Sequence, residues 1–389
     1  GCSAFFPLGV MYLNLLLMLT ALGFAPDIRQ RLQRLMRNGA FVPLVAVCIW
    51  TFLAAGAGAA YPDTPTRLFH VFRVTLVVCV GLMLTRHEAR LAITGLMVAA
   101  MYAVLVVLIH HIAGLPDWAI WNSLLSSRNN FSSGNMITLA IAGGLAFLRA
   151  TDSGLARRPR LWWMAFAVLI ALVVAFHAVS RNSQLLLIVL LLAVVVFRFR
   201  SAKAVLAGLV SSCLLVAVAW QFSPTTQSRF AEMAANVRAV QTESNYVSSV
   251  GVRLRMYELA LQSMASHPVM GTGVGSWLPL WSEYARELDQ QQLPGEKLLT
   301  TINNPHNDFL LAGMETGVPG LLLLLWLLLH FVASGWRRRT TGGGATFVLG
   351  LAMLVTTMFN APFRDAALGM TLLWMLGVSL AYGELQANA

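Results

Sequence analysis

Long apolar runs separated by short polar breaks dominate the pattern of this chain. Eleven runs, at about 1–25, 40–60, 68–85, 91–112, 132–149, 161–179, 184–197, 204–222, 319–335, 345–362 and 365–384, approach the length a helix needs to cross a bilayer core. Pro7 and Gly9 interrupt the first, and 184–197 is short enough to lean on its flanks. Alternation with period two is absent, which argues against a β-barrel. One long polar segment breaks the series, from 223 to 318. The chain therefore divides into 1–222 (about eight spans), an extramembrane loop at 223–318 and 319–389 (about three spans).

Within the loop, Phe230, Met233, Val237 and Val240 recur at helical spacing, with Arg229, Glu232, Arg238 and Glu243 on other faces. A second helix is expected from Val250 to about Ser266, stopped by His267-Pro268. Gly271-Thr272-Gly273-Val274-Gly275 then predicts a tight turn; it follows a helix and not a strand, so it does not indicate a dinucleotide fold.

Composition agrees: 58% of residues are hydrophobic, 11% are charged and mean hydropathy is +0.70, as in an all-α integral membrane protein. A net charge of +11 on a soluble chain would suggest nucleic acid, but here the basic residues sit in short loops, and membrane lipids are the implied partner. One set of alternate loops (26–39, 86–90, 149–160, 198–203 and 336–344) holds sixteen Lys and Arg; the short loops opposite hold one each, Arg67, Arg128, Arg181 and Arg364. The positive-inside rule puts the first set in the cytoplasm and the 223–318 loop outside. Gly1 then also lies outside, and the alternation implies one further upstream helix, for twelve spans with both ends inside. Cys2, Cys48, Cys79 and Cys213 lie in apolar runs without C-x-x-C spacing and read as small core residues.

His306 stands out chemically. It lies in Asn303-Asn304-Pro305-His306-Asn307-Asp308-Phe309-Leu310, at the end of the outer loop and beside an apolar run. An imidazole there is either a general base at a membrane surface or a loop residue that caps a helix. Arginines on the outer face run against the usual charge bias. Arg181, in a polar break of barely five residues, fits either snorkelling to headgroups or a phosphate contact; Arg253 and Arg255 fit a solvated helix face, a pair with Glu258, or the same contact. Three converging guanidiniums would cradle phosphate oxygens. The outer loop offers no clustered carboxylates or H-E-x-x-H for a metal, and no G-x-S-x-G elbow.

Taken in order, Phe131-Ser132-Ser133-Gly134-Asn135, Val179-Ser180-Arg181-Asn182-Ser183, Arg253-x-x-x-Tyr257-x-x-Ala260 with His267-Pro268-x-x-Gly271-x-Gly273, and Pro305-His306-Asn307-Asp308-Phe309-Leu310 with Glu315-Thr316-Gly317-Val318-Pro319-Gly320 resemble the O-antigen ligase and polymerase superfamily over about 130–335. Two departures are Tyr257, where the family usually shows Trp, and Arg255 beside Arg253, which leaves two candidates for one family arginine. The resemblance implies a C-type glycosyltransferase-like fold of eleven to twelve transmembrane helices with one large helical periplasmic loop. It implies a multi-pass protein of the bacterial inner membrane with its active site facing the periplasm. The implied donor is a glycan on undecaprenyl pyrophosphate, and the implied acceptor a sugar hydroxyl of lipid A–core. The implied reaction inverts the anomeric carbon and needs no metal or other cofactor.

In that picture His306 is the base, Arg181 with Arg253 or Arg255 holds the pyrophosphate, and Asn307 and Asp308 support, Asp308 by orienting the imidazole. The outer-edge Arg67, Arg128 and Arg364 are expected to dock the anionic acceptor, or, for Arg364, to pair with Asp365. A polymerase or a protein O-oligosaccharyltransferase would use the same donor; a single large outer loop favours a ligase. A flippase or transporter would place charges deep in several spans, and only Arg73 fits that description.

Overall fold

The computed structural model describes residues 3–113, 125–126, 130–131, 133–178, 180–223, 248–291 and 301–387, with a few more between 227 and 238. The described residues are all α-helical in their regular structure apart from an antiparallel pair of two-residue strands, β1 (Leu125–Ser126) and β2 (Asn130–Phe131). In chain order the helices are α1 (Leu8–Gly23), α2 (Ile28–Arg37), α3 (Phe41–Ala57), α4 (Thr64–Leu82), α5 (Arg86–Ala113), α6 (Ser133–Ala150), α7 (Arg157–His177), α8 (Arg181–Phe199) and α9 (Ala202–Phe222). There follow α10 (Ser249–Ser266) and α11 (Trp277–Gln291) of the long polar loop, then α12 (Asp308–Arg337), α13 (Thr341–Phe359) and α14 (Ala366–Ala387).

Among the described residues eight helices are long and apolar enough to cross a membrane. The shorter apolar helices α3 and α6 sit where two further runs were expected, and α1 occupies the first. The short run at 184–197 extends at both ends into α8, 19 residues long, because polar Arg181 and Arg198 close its ends.

The basic stretch after α1, expected as a loop, is instead the helix α2, bent 111° from α1. Its buried residues, Arg31 and Leu35, lie one turn apart, and Arg31 pairs with Asp27 at 2.8 Å and with Glu88 at 2.6 Å. That pairing compensates the burial of a guanidinium.

A continuous apolar core runs through α4–α8 and α12–α14. Helices α4 and α14 approach each other closely. A Cβ on Gly81 would fall 2.8 Å from Trp374 O, and one on Gly377 would fall 2.5 Å from Val78 O. Small residues permit such close backbones, the usual means of helix association in lipid.

The long polar loop has its own core of Met256, Ala260, Trp277, Trp281, Ala285, Leu311 and Met314, which fastens α10 and α11 to the start of α12. Trp277 and Trp281, one turn apart, stack at 5.8 Å and both are fully buried. Helix α10 starts at a Ser248 side-chain cap and ends at His267, as the sequence predicts; the Phe230–Val240 pattern lies largely outside the described residues.

Candidate active site

Residues 302–308 are held by local hydrogen bonds at Asn304 and Asn307 and by distant partners at Ile302, Asn303 and Asp308. Trp277 Nε1 donates to Ile302 O at 2.8 Å, and Arg364 Nη1 donates to Asn303 O. Asn304 Oδ1 accepts from the backbone N–H of His306 at 2.8 Å. Asn307 is the N-cap of α12, its Oδ1 accepting from Phe309 N at 3.0 Å and Leu310 N at 3.1 Å. Asp308 Oδ2 accepts from Phe363 N at 2.8 Å.

His306 is thereby held with φ at 53°, a left-handed conformation uncommon for a residue with a Cβ. Such strain persists only where the surroundings over-determine it, and functional sites are where it collects. The imidazole is half-buried, and burial followed by the nearby Arg253 charge lowers its pKa below the ordinary 6.5. The neutral, proton-accepting form is therefore the resting form at neutral pH.

The two arginines of α10 separate in role. Arg255 Nη1 pairs with Glu258 at 2.6 Å, and Tyr284 Oη donates to the same carboxylate at 3.0 Å, so Arg255 belongs to the α10–α11 packing. Arg253 is partly exposed and acts on His306. Arg181 opens α8 behind the Ser180 N-cap; beside it Asn182 Nδ2 donates to Phe359 O at 3.3 Å. The 359–365 connection therefore touches both the Arg181 end of α8 and the His306 segment.

Two expectations change here. Asp308 spends Oδ2 on Phe363 and is buried, so it tethers α12 to the 359–365 connection, where the sequence suggested it orients the imidazole. The acceptor dock does not fit Arg67, only 5% exposed and held between Asp63 at 3.4 Å and Glu315 at 3.1 Å. Arg364 pairs with Asp63 at 3.1 Å, and not with its neighbour Asp365. Arg128 lies outside the described residues.

Sequence reasoning missed Glu315 and Asp63 as members of this cluster. A carboxylate at the edge of an apolar run was the available signal, since such a group needs a named partner. Arg73 is buried, its Nη1 3.3 Å from Tyr12 Oη and its Nη2 3.4 Å from Phe363 O, so it serves the same connection.

Helix α12 breaks at Gly317, φ 73° and ψ −178°, two residues before Pro319. Met314 O and Val318 N, which a continuous helix would pair, go elsewhere: Thr272 N donates to Met314 O and Val318 N donates to Pro268 O, both at 2.8 Å. Trp50 Nε1 donates to Thr316 O at 2.8 Å. The glycine turn, with Gly271, Gly273 and Gly275 all at positive φ, supplies the first of these contacts through Thr272, and with Pro268 just before it seats the long polar loop on α12. Among the described residues no three of His, Cys, Asp and Glu come together as a metal site.

Residues 166–325 match the family model described as O-antigen ligase. That stretch, less than half of the chain, is similar to the O-antigen ligase family. The match contains Arg181, Arg253, Arg255, His306, Asp308 and Glu315. No curated protein matches the chain. The match, together with the long apolar helices, supports a multi-pass membrane protein of ligase or polymerase type that acts in glycan assembly of the lipopolysaccharide kind, with lipid-linked glycan and membrane lipids as partners.

Proposed function

We propose that this protein is an O-antigen ligase-type glycosyltransferase of the bacterial inner membrane. It moves a glycan from undecaprenyl pyrophosphate to a sugar hydroxyl of lipid A–core on the periplasmic side. The observation that carries the reading is His306, held in a left-handed conformation beside Arg253 with its pKa lowered by burial.

His306 accepts the acceptor hydroxyl proton as that oxygen bonds to the anomeric carbon. The bond from that carbon to the pyrophosphate breaks with inversion, and its electron pair stays on the departing phosphate oxygen. A positioned base contributes about 10²–10⁴-fold. Arg253 and Arg181 meet the negative charge that gathers on the leaving group. The position of Arg181 supports this role. It stands at the N-terminus of α8, where the helix dipole favours an anion such as phosphate. Arg255 supports from the α10–α11 packing.

The test uses purified protein, undecaprenyl-pyrophosphate-linked donor and lipid A–core acceptor. His306→Ala should abolish transfer while donor binding stays near wild type. Arg181→Lys should impair donor use despite its retained charge, because lysine lacks the planar fork. Transfer at a wild-type rate by His306→Ala, alongside a dead variant at Glu243, Glu258, Glu283 or Asp289, reassigns the base.

A further inference from the structure

A cavity of about 310 Å³ opens on the arginine-rich face, at the opposite end of α12 from His306. Arg34 and Arg37 of α2, the adjoining Asn38, Leu82 at the end of α4, Arg338 after α12 and Glu384 near the end of α14 line it. Three guanidiniums therefore face one carboxylate. That carboxylate is already committed: Glu384 Oε1 accepts from Arg338 Nη2 at 2.8 Å, and Oε2 accepts from Asn38 Nδ2 at 2.7 Å. Arg34 and Arg37 have no carboxylate partner among the described residues, and Arg338 Nη1 is buried without a hydrogen-bond partner. A buried donor left unmade is costly, so the cavity calls for an acceptor of negative charge.

The helix beside the cavity says which kind. Leu32 and Met36, on the face of α2 opposite Arg34 and Arg37, are 42% and 58% exposed. A helix that is basic and apolar at once, bent away from its neighbour by 111°, fits the headgroup–acyl boundary. At that depth the anion within reach of the guanidiniums is a phospholipid headgroup.

We propose that this cavity binds the phosphate of an anionic glycerophospholipid from the leaflet on the arginine-rich side. Its phosphate bridges Arg34, Arg37 and Arg338, and its acyl chains enter the bilayer beside α2. The bound lipid clamps α2 to the ends of α12 and α14.

The experiment uses the delipidated full chain in detergent, with lipid retention read by native mass spectrometry and unfolding by a thermal scan. The probes are phosphatidylglycerol, phosphatidylcholine and inorganic phosphate. Phosphatidylglycerol should be retained and should raise the unfolding midpoint; the other two at equal concentration should not. Arg34→Gln with Arg37→Gln should weaken phosphatidylglycerol binding by about thirtyfold, the scale of two juxtamembrane charges. Arg157→Gln with Arg158→Gln, an exposed pair outside the cavity, should leave it unchanged. Arg338 stays intact in these variants, because Glu384 depends on it for folding. Equal retention of phosphatidylcholine overturns the proposal, as does equal loss in both double variants or wild-type binding by the Arg34/Arg37 pair. The same stabilisation by inorganic phosphate alone makes the site one for a free anion and overturns the lipid assignment.

Discussion

Arg67 on α4 and Glu315 on α12 form an ion pair at 3.1 Å, with side chains only 5% and 8% exposed. The pair joins the α3–α4 region to α12 two residues before its break at Gly317. Asp63 extends it to Arg364, which reaches the carbonyl of Asn303. The charge cluster thus ends three residues from His306.

Breaking this pair should be costly. Removing one partner of a buried pair strands the other charge, a loss of roughly 3–5 kcal/mol, whereas replacing both with apolar groups of similar size is often neutral. Arg67→Met and Glu315→Leu should each destabilise strongly, and the double variant should recover much of the loss. A double-mutant cycle on unfolding in detergent measures this. Additive losses would show that the two side chains do not interact.

The apolar helices were legible because uninterrupted runs of about twenty residues have few alternatives. The span of α10 was legible from Pro268, which bars continuation of the helix past His267. Helix α2 was not, because its arginines break the apolar run while Arg31 hides in a pair with Glu88, a partner from another helix. The Arg67–Glu315 pair escaped for the same reason, since long-range pairing leaves no local period. His306 and Arg253 could be singled out as residue types, but the choice of Arg253 over Arg255 needed Glu258 and Tyr284 in place. The hub at 359–365 works mainly through backbone groups, Phe359 O, Phe363 N and Phe363 O, which no side-chain pattern announces.

Arg253→Gln and Arg255→Gln should fail in different ways. Arg255 and Glu258 are partly solvated, 21% and 40% exposed, so losing that pair should cost only about 0.5 kcal/mol and show as a small stability loss. The Arg255 guanidinium holds the Glu258 carboxyl below its ordinary range. Its stabilising share is therefore present at neutral pH and fades on acidification. Arg253→Gln should leave stability alone and raise the KM for donor. Steady-state kinetics beside thermal unfolding separates the two, and matched kinetic losses would return both arginines to equal standing.

Gly317→Ala should disrupt the seat of the long polar loop. Its φ of 73° is one an L side chain rarely adopts, and an added Cβ would collide with the carbonyl of Val269. Strain and clash together should cost more than about 2 kcal/mol. Because Val269 adjoins the Pro268 carbonyl that accepts from Val318 N, the damage should spread to the glycine turn. Hydrogen exchange should rise first at Val318 and Thr272. Unchanged protection there would show that the break tolerates a side chain.

The last prediction concerns the charge that Arg253 places on His306. The imidazole must be neutral to accept a proton, so transfer should fall as pH drops through its pKa. Burial and then Arg253 lower that pKa below 6.5, which puts the acid limb of the rate profile below this value. Removing the guanidinium removes a like charge from the imidazolium and raises the pKa. In Arg253→Gln the acid limb of the residual kcat/KM should therefore move to higher pH, even as donor binding weakens. Diethylpyrocarbonate, which reacts with neutral imidazole, offers a readout independent of donor. Its pH-dependent reaction with His306, taken as the difference from His306→Ala, should shift the same way. Burial remains in the variant, so the shift should be partial and the pKa should not rise to that of a free histidine. An unmoved titration in Arg253→Gln would mean that the guanidinium does not act on the imidazole, and the two residues would no longer form one site.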